Sequence, residues 1–221
     1  MDLQPPVSLR TDDDAPALKL LREYYRKPFG FGHFYTGAAF DTWDSTGTRS
    51  QDVNVFTADD LVAVTFLSVR VGPLAAHVLL DERRSDFSEI LEMIGPDRDL
   101  VDETKEIPRD WPAWELNQEL TCLPDVGPTI ASKLIARKRP RLVPVYDSVV
   151  RKVLGTKKDH WELIRVALRE NNHALHNRLL GLKKQAGLPE EVSVLRVLDV
   201  IAWMERTADG GHHRPTPGAA P

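Results

Sequence analysis

Between Leu120 and Arg151 the sequence sets out side chains and turn residues of the kind that grip a phosphate and hold an acid beside it. The stretch reads LTCLPDVGPTIASKLI and continues through RKRPRLVPVYDSVVR. A helical pattern stops at Leu123-Pro124, the chain turns through Asp125-Val126-Gly127, and a second helix starts at Pro128. Without a Cβ at Gly127, backbone amides near it can approach a ligand closely. The first turn of the new helix offers unpaired N–H groups and the positive end of its dipole, which suits a phosphate. Ala131 is small enough for close helix packing behind the turn, while Lys133 and Arg137 add charge along the helix. A helix–hairpin–helix gripping one backbone phosphate accounts for this pattern. Asp147 stands just before a helical pattern that begins at Ser148, where Asp serves well as an N-cap.

LPDVGPTIASKL followed by PVYDSVVRKVL resembles the helix–hairpin–helix DNA glycosylase superfamily, whose members read LPGVG…TA… and then VDxxVxR. Twenty residues separate Gly127 from Asp147, about the family's spacing, and Arg151 follows four residues later, where the family often has a base. The resemblance covers Leu120–Leu154 and extends weakly to DDLVAVTFLSVRVGPLAAHVL upstream, which is similar to the family's first core helix and strand-separating loop. It implies a mainly α, helix–hairpin–helix DNA glycosylase-like fold with double-stranded DNA as partner. It also implies a catalytic role for Asp147. Breaking an N-glycosidic bond develops oxocarbenium character on the sugar, which a carboxylate beside the flipped nucleotide stabilises while orienting or deprotonating water. Capping alone is the other reading of Asp147, and the two are compatible. Val126, Gly127, Thr129, Lys133, Arg137 and Arg151 are the candidates for holding the DNA backbone.

The chain departs from the family pattern in two places. Asp125 replaces a hairpin glycine, putting a carboxylate near the expected phosphate, although Asp tolerates left-handed backbone. Thr129 stands where bifunctional members carry a Schiff-base lysine. A monofunctional hydrolase leaving an abasic site is therefore expected. Lys133, one turn on, is read as a phosphate contact. Apart from a monovalent cation that the hairpin would admit, no cofactor, metal or iron–sulfur cluster is expected. For the base pocket or wedge the candidates are Tyr146, His33, Tyr35, Asp41 and Arg70. The aromatic insert Phe29–Tyr35, with Asp41 and Trp43, equally suits a mini-core, and Arg70 a plain surface charge. Trp111 and Trp114, spaced (i, i+3), read as helix packing. Methylated, oxidised, mismatched and hypermodified phage-type bases all stay open, as do roles in repair or in defence. Two rivals are a non-catalytic hairpin module that binds DNA and a helical protein whose basic patch meets an acidic partner.

Composition bounds these readings. The 221 residues are 42% hydrophobic and 28% charged, ordinary for a globular domain. No apolar run reaches the length of a membrane span, and the acidic start lacks a signal-like apolar region, so a cytoplasmic monomer is expected. With Cys122 as the lone cysteine, no disulfide framework or cysteine zinc site can form within the chain. Taken alone, the net charge of −4 argues against a nucleic-acid protein, which usually carries a basic excess. Segments 131–158, with nine bases against Asp147 alone, and 97–119, with eight acids against three bases, predict instead a localised electrostatic footprint.

Helical periods predict elements near 14–26, 61–69, 74–84, 86–94, 112–120, 148–154, 161–170, 174–186 and 191–206, with loop and short strand over the whole Gly- and aromatic-rich insert at 28–52. The expected organisation is a polar lead-in at 1–13, one helical domain at 14–208, and a disordered tail at 209–221, in which His212 and His213 are solvated. Within the domain the hairpin motif occupies about 120–135 and the catalytic loop 140–151.

Overall fold

A computed structural model describes the backbone of residues 3–26, 35–157 and 159–209, with side chains as far as 206. The described residues are mainly helical and contain no strand. The helices are α1 Ala15–Tyr24, α2 Ala58–Thr65, α3 Pro73–His77, α4 Arg84–Ile94, α5 Pro112–Thr121, α6 Pro128–Lys138, α7 Ser148–Leu154, α8 His160–Gln185 and α9 Val194–Asp209. The expected strand in the aromatic insert is replaced, in its described part, by a 3-10 turn at Thr36–Ala39. Residues 27–34, His33 among them, and the tail from 210 lie outside the described residues.

Local chemistry explains most of the helix ends. Thr57 and Asp60 form a capping box at α2, with the Thr57 N–H donating to Asp60 Oδ2 at 2.9 Å. Proline opens α3, α5 and α6, where its missing N–H removes a donor that would otherwise be unpaired. The helix expected over 74–84 is instead α3 followed by a π turn at Val78–Glu82. Asn171, Asn172 and His173 all take left-handed backbone and interrupt α8, matching the break expected between residues 170 and 174.

The core forms around two helices. α9 packs against α1, α7 and α8, and its residues Val194–Ala202 are all buried. α6 lies between α2 and α5, with every residue from Ala131 to Lys138 buried, charged ones included. Trp161 stacks on Trp114 at 3.8 Å and meets Trp111 edge-on at 5.9 Å, so these rings are helix packing as expected.

Gly37 is needed for steric reasons, because a Cβ there would collide with the Tyr24 hydroxyl. That hydroxyl is itself fixed by a 2.6 Å bond from Arg196. Gly37→Ala is expected to cost about 2 kcal/mol, by the overpacking it forces. An unchanged urea midpoint would contradict this contact.

Candidate functional site

The hairpin forms between α5 and α6 as the residue types require. Asp125 takes φ +60°, the left-handed position that glycine would otherwise fill, and is exposed. The Val126 N–H donates to Leu123 O at 3.1 Å, so it is not offered to a phosphate as the sequence suggested. Among the described residues, the amides of Gly127 and Thr129 have no such acceptor. The Gly127 carbonyl accepts from Ile130 and Ala131, both at 3.0 Å, which starts α6. A Cβ at Gly127 would stand in open space. The fold therefore does not require glycine there, and the bare backbone faces outward where a ligand can approach.

Ser132 ties the catalytic loop to this hairpin. Its hydroxyl donates to Thr129 O at 3.1 Å and accepts from the Tyr146 N–H at 2.9 Å. The neighbouring loop residues are clamped from α8: Trp161 Nε1 donates to Pro144 O at 3.1 Å, and His160 Nε2 bonds Val145 O at 3.0 Å. Burial pushes the His160 imidazole down to about 4, so it is neutral and its Nε2–H donates to that carbonyl, leaving Nδ1 to accept from Thr156.

Asp147 leaves this clamped loop with its carboxylate held at both oxygens. Oδ1 caps α7 by accepting from the Val149 N–H at 2.8 Å, and Oδ2 receives Lys133 Nζ at 3.4 Å. Lys133 also donates to Leu67 O at 2.9 Å, just before the loop that carries Arg70. It is 4% exposed and burial holds its ammonium below the usual lysine range, against the pull of Asp147. Lys133 is thus the partner of the acid and not a surface phosphate contact. Asp147 keeps 19% of its side-chain surface open, which leaves it reachable.

The predicted basic footprint is largely turned inward. Arg137, 3% exposed, donates to the carbonyls of Phe40 and Trp43 and pairs with Asp60 at 3.3 Å. Lys138 pairs with the same carboxylate at 2.5 Å. Arg139, 1% exposed, serves the carbonyls of Gly95, Val53 and Leu91. Arg137 is therefore a structural tie between α6 and the 40–43 turn, not a DNA contact. The reason is geometric: α6 is surrounded on every face, so its charges must find partners inside. Arg151 stays partly exposed, its guanidinium 4.4 Å from the Tyr146 ring centroid, which covers one face of that ring.

Of the proposed base-reading residues, Asp41 is 2% exposed, with Oδ2 accepting from Tyr25 and Arg196 at 3.3 Å each. Tyr35 stacks on Tyr24 at 5.4 Å and meets Trp203 edge-on at 5.7 Å. These residues form the mini-core alternative. Arg70 is exposed, in the loop between α2 and α3.

Sequence reading missed the centre of this network. Arg196 on α9 bonds Tyr24, Asp41, Asp199 and the Gly37 carbonyl. The signal was present as two charges three apart inside the apolar run VSVLRVLDVIAW. Burial, opposed by Arg196 and reinforced by Asp147, pushes the Asp199 carboxyl up to about 6. Unfolded aspartate releases its proton near pH 4. Asp199 therefore favours the fold below about pH 4, and that contribution is lost as pH rises through 6. In thermal melts, Asp199→Asn is expected to gain about 5 °C on the native chain between pH 4 and pH 7.5. Parallel melting curves would contradict it.

Residues 17–206 match the family described as "Family of unknown function (DUF6308)". No curated protein and no solved structure matches the chain.

Proposed function

The chain belongs to the DUF6308 family, and from its site we propose that it is a monofunctional DNA glycosylase that hydrolyses the N-glycosidic bond of a damaged or modified base and leaves an abasic site. The observation that carries this reading is Asp147, held at both oxygens yet partly open, on a loop pinned to the second turn after a hairpin with outward-facing backbone. A carboxylate fixed in that way costs no reorganisation when positive charge develops on the sugar. The hairpin amides of Gly127 and Thr129 would anchor a phosphate and set the register of the strand. Lys133 is the positioning residue, bridging the carboxylate to the Leu67 carbonyl. Thr129 offers no amine for a Schiff base, so the abasic product would keep its strand intact.

A non-catalytic hairpin module that binds DNA is the second reading, favoured by the Asp147 cap, which needs no chemistry to explain it. The two are separated by incubating the protein with oligonucleotides carrying alkylated, oxidised, mismatched and hypermodified bases. Free base detected from one of them, with the strand uncleaved, supports the enzyme. Binding without any base release, across the panel, supports the module.

A further inference from the structure

The surface that Asp147 opens onto is poorer in positive charge than the sequence suggests. Among the described residues, the buried charged set holds six bases (Lys133, Arg137, Lys138, Arg139, Arg165 and Arg196) against three acids (Asp41, Asp60 and Asp199). Of the chain's net −4, the remainder therefore carries −7. Arg141, from the same basic run, is exposed but forks onto Asp99 at 2.9 and 2.5 Å.

Three described cations of that run remain, Arg151, Lys152 and Lys157, and all belong to α7 or the few residues after it. None has an ion-pair partner among the described residues. Arg151 has in addition a buried Nε with no hydrogen-bond partner, on a guanidinium that stands over the ring of Tyr146, the residue before the acid. The hairpin presents the exposed Asp125, whose carboxylate lies near Gly72, in the loop that also carries the exposed Arg70. The free cations left from the basic run thus follow one element, a strip as long as a two-turn helix.

A duplex carries one phosphate per ~1.7 Å of its axis, a single strand about half that density. A negatively charged protein whose free cations follow one short strip repels the duplex more strongly. Extruding a paired base also costs a few kcal/mol, which duplex-acting enzymes recover from phosphate contacts on both strands. The rest of the described basic run is spent inside the fold or on Asp99, so α7 and its end are what that run leaves for phosphates. An unpaired base needs no extrusion, and the Arg151–Tyr146 pair next to Asp147 offers a cation and a ring to an unstacked base.

Building on the glycosylase reading, we propose that the substrate is a base in single-stranded DNA, held by α7 along one strand, and that Asp125 limits affinity for paired DNA. The experiment measures anisotropy of a fluorescein-labelled oligonucleotide of about 20 nucleotides, single-stranded and as its duplex, across a salt series. Three or four phosphate contacts predict a slope of log K on log salt between about −2 and −3 for the strand. The strand is expected to bind roughly tenfold tighter than the duplex, and Asp125→Gly to tighten duplex binding about threefold or more by removing one repelling charge. Glycine keeps the left-handed turn at that position, so the variant should fold. Duplex binding equal to or tighter than the strand, or no gain in Asp125→Gly, overturns the single-strand inference alone. No binding of either form at low salt overturns it together with the glycosylase reading.

Discussion

Asp147→Asn is expected to lower the rate of base release about 10²–10³-fold, the usual effect of removing one preorganised electrostatic group from a transition state. The cap should survive, because Asn caps as well as Asp and can still accept from the Val149 N–H, but the buried Lys133 loses its carboxylate and keeps the Leu67 carbonyl, at about 1 kcal/mol. DNA binding should persist, since the hairpin and α7 cations are untouched. The useful contrast is Asp147→Ala, which removes cap and carboxylate together and should lose about 1 kcal/mol more. If Asp147→Asn kept native rates, the acid would be a cap and nothing more.

Arg137→Met should unfold the protein more readily while leaving the binding surface as it was. The guanidinium satisfies the Phe40 and Trp43 carbonyls and neutralises half of a shared arrangement with Lys138 around Asp60, which is 2% exposed. Removing it leaves the buried Phe40 and Trp43 carbonyls without this partner and Asp60 with Lys138 as its remaining cation, at a cost of about 2–4 kcal/mol. The Asp60 carboxylate also completes the α2 capping box, so the loss should spread to the start of that helix. Denaturant titration of Arg137→Met reads this directly. A variant with native stability and weakened DNA binding would return Arg137 to the surface role that its sequence position suggested.

The difference between those two residues shows what could be read from sequence. Asp147 and its cap are local: the acid and the amide that it accepts from are two residues apart, and the α7 boundaries Ser148–Leu154 agree with the pattern. The left-handed Asp125 and the proline-opened helices were legible for the same reason, whereas the spacing of Trp111 and Trp114 told that they pack but not that Trp161 is their partner. The basic run was misread because a charge cluster on a helix ordinarily marks a solvated face. α6 instead has neighbours on every side, and the carbonyls that Arg137 bonds lie more than 90 residues away in sequence.

The Arg196 centre was hidden in the same way. Its partners Tyr24 and Asp41 are 172 and 155 residues distant, so no spacing rule joins them. Lys133 was placed on the right element and given the wrong direction, facing the acid and the Leu67 carbonyl instead of a phosphate.

Mass spectrometry of free bases, after the purified protein is incubated with native phage DNA that has been heat-denatured, tests the assignment of Asp147 most directly. The account predicts a released base with the native chain and a signal at least about a hundredfold weaker with Asp147→Asn at equal protein concentration. Equal release by the two proteins would contradict it, as would the absence of any free base from this DNA and from the synthetic panel.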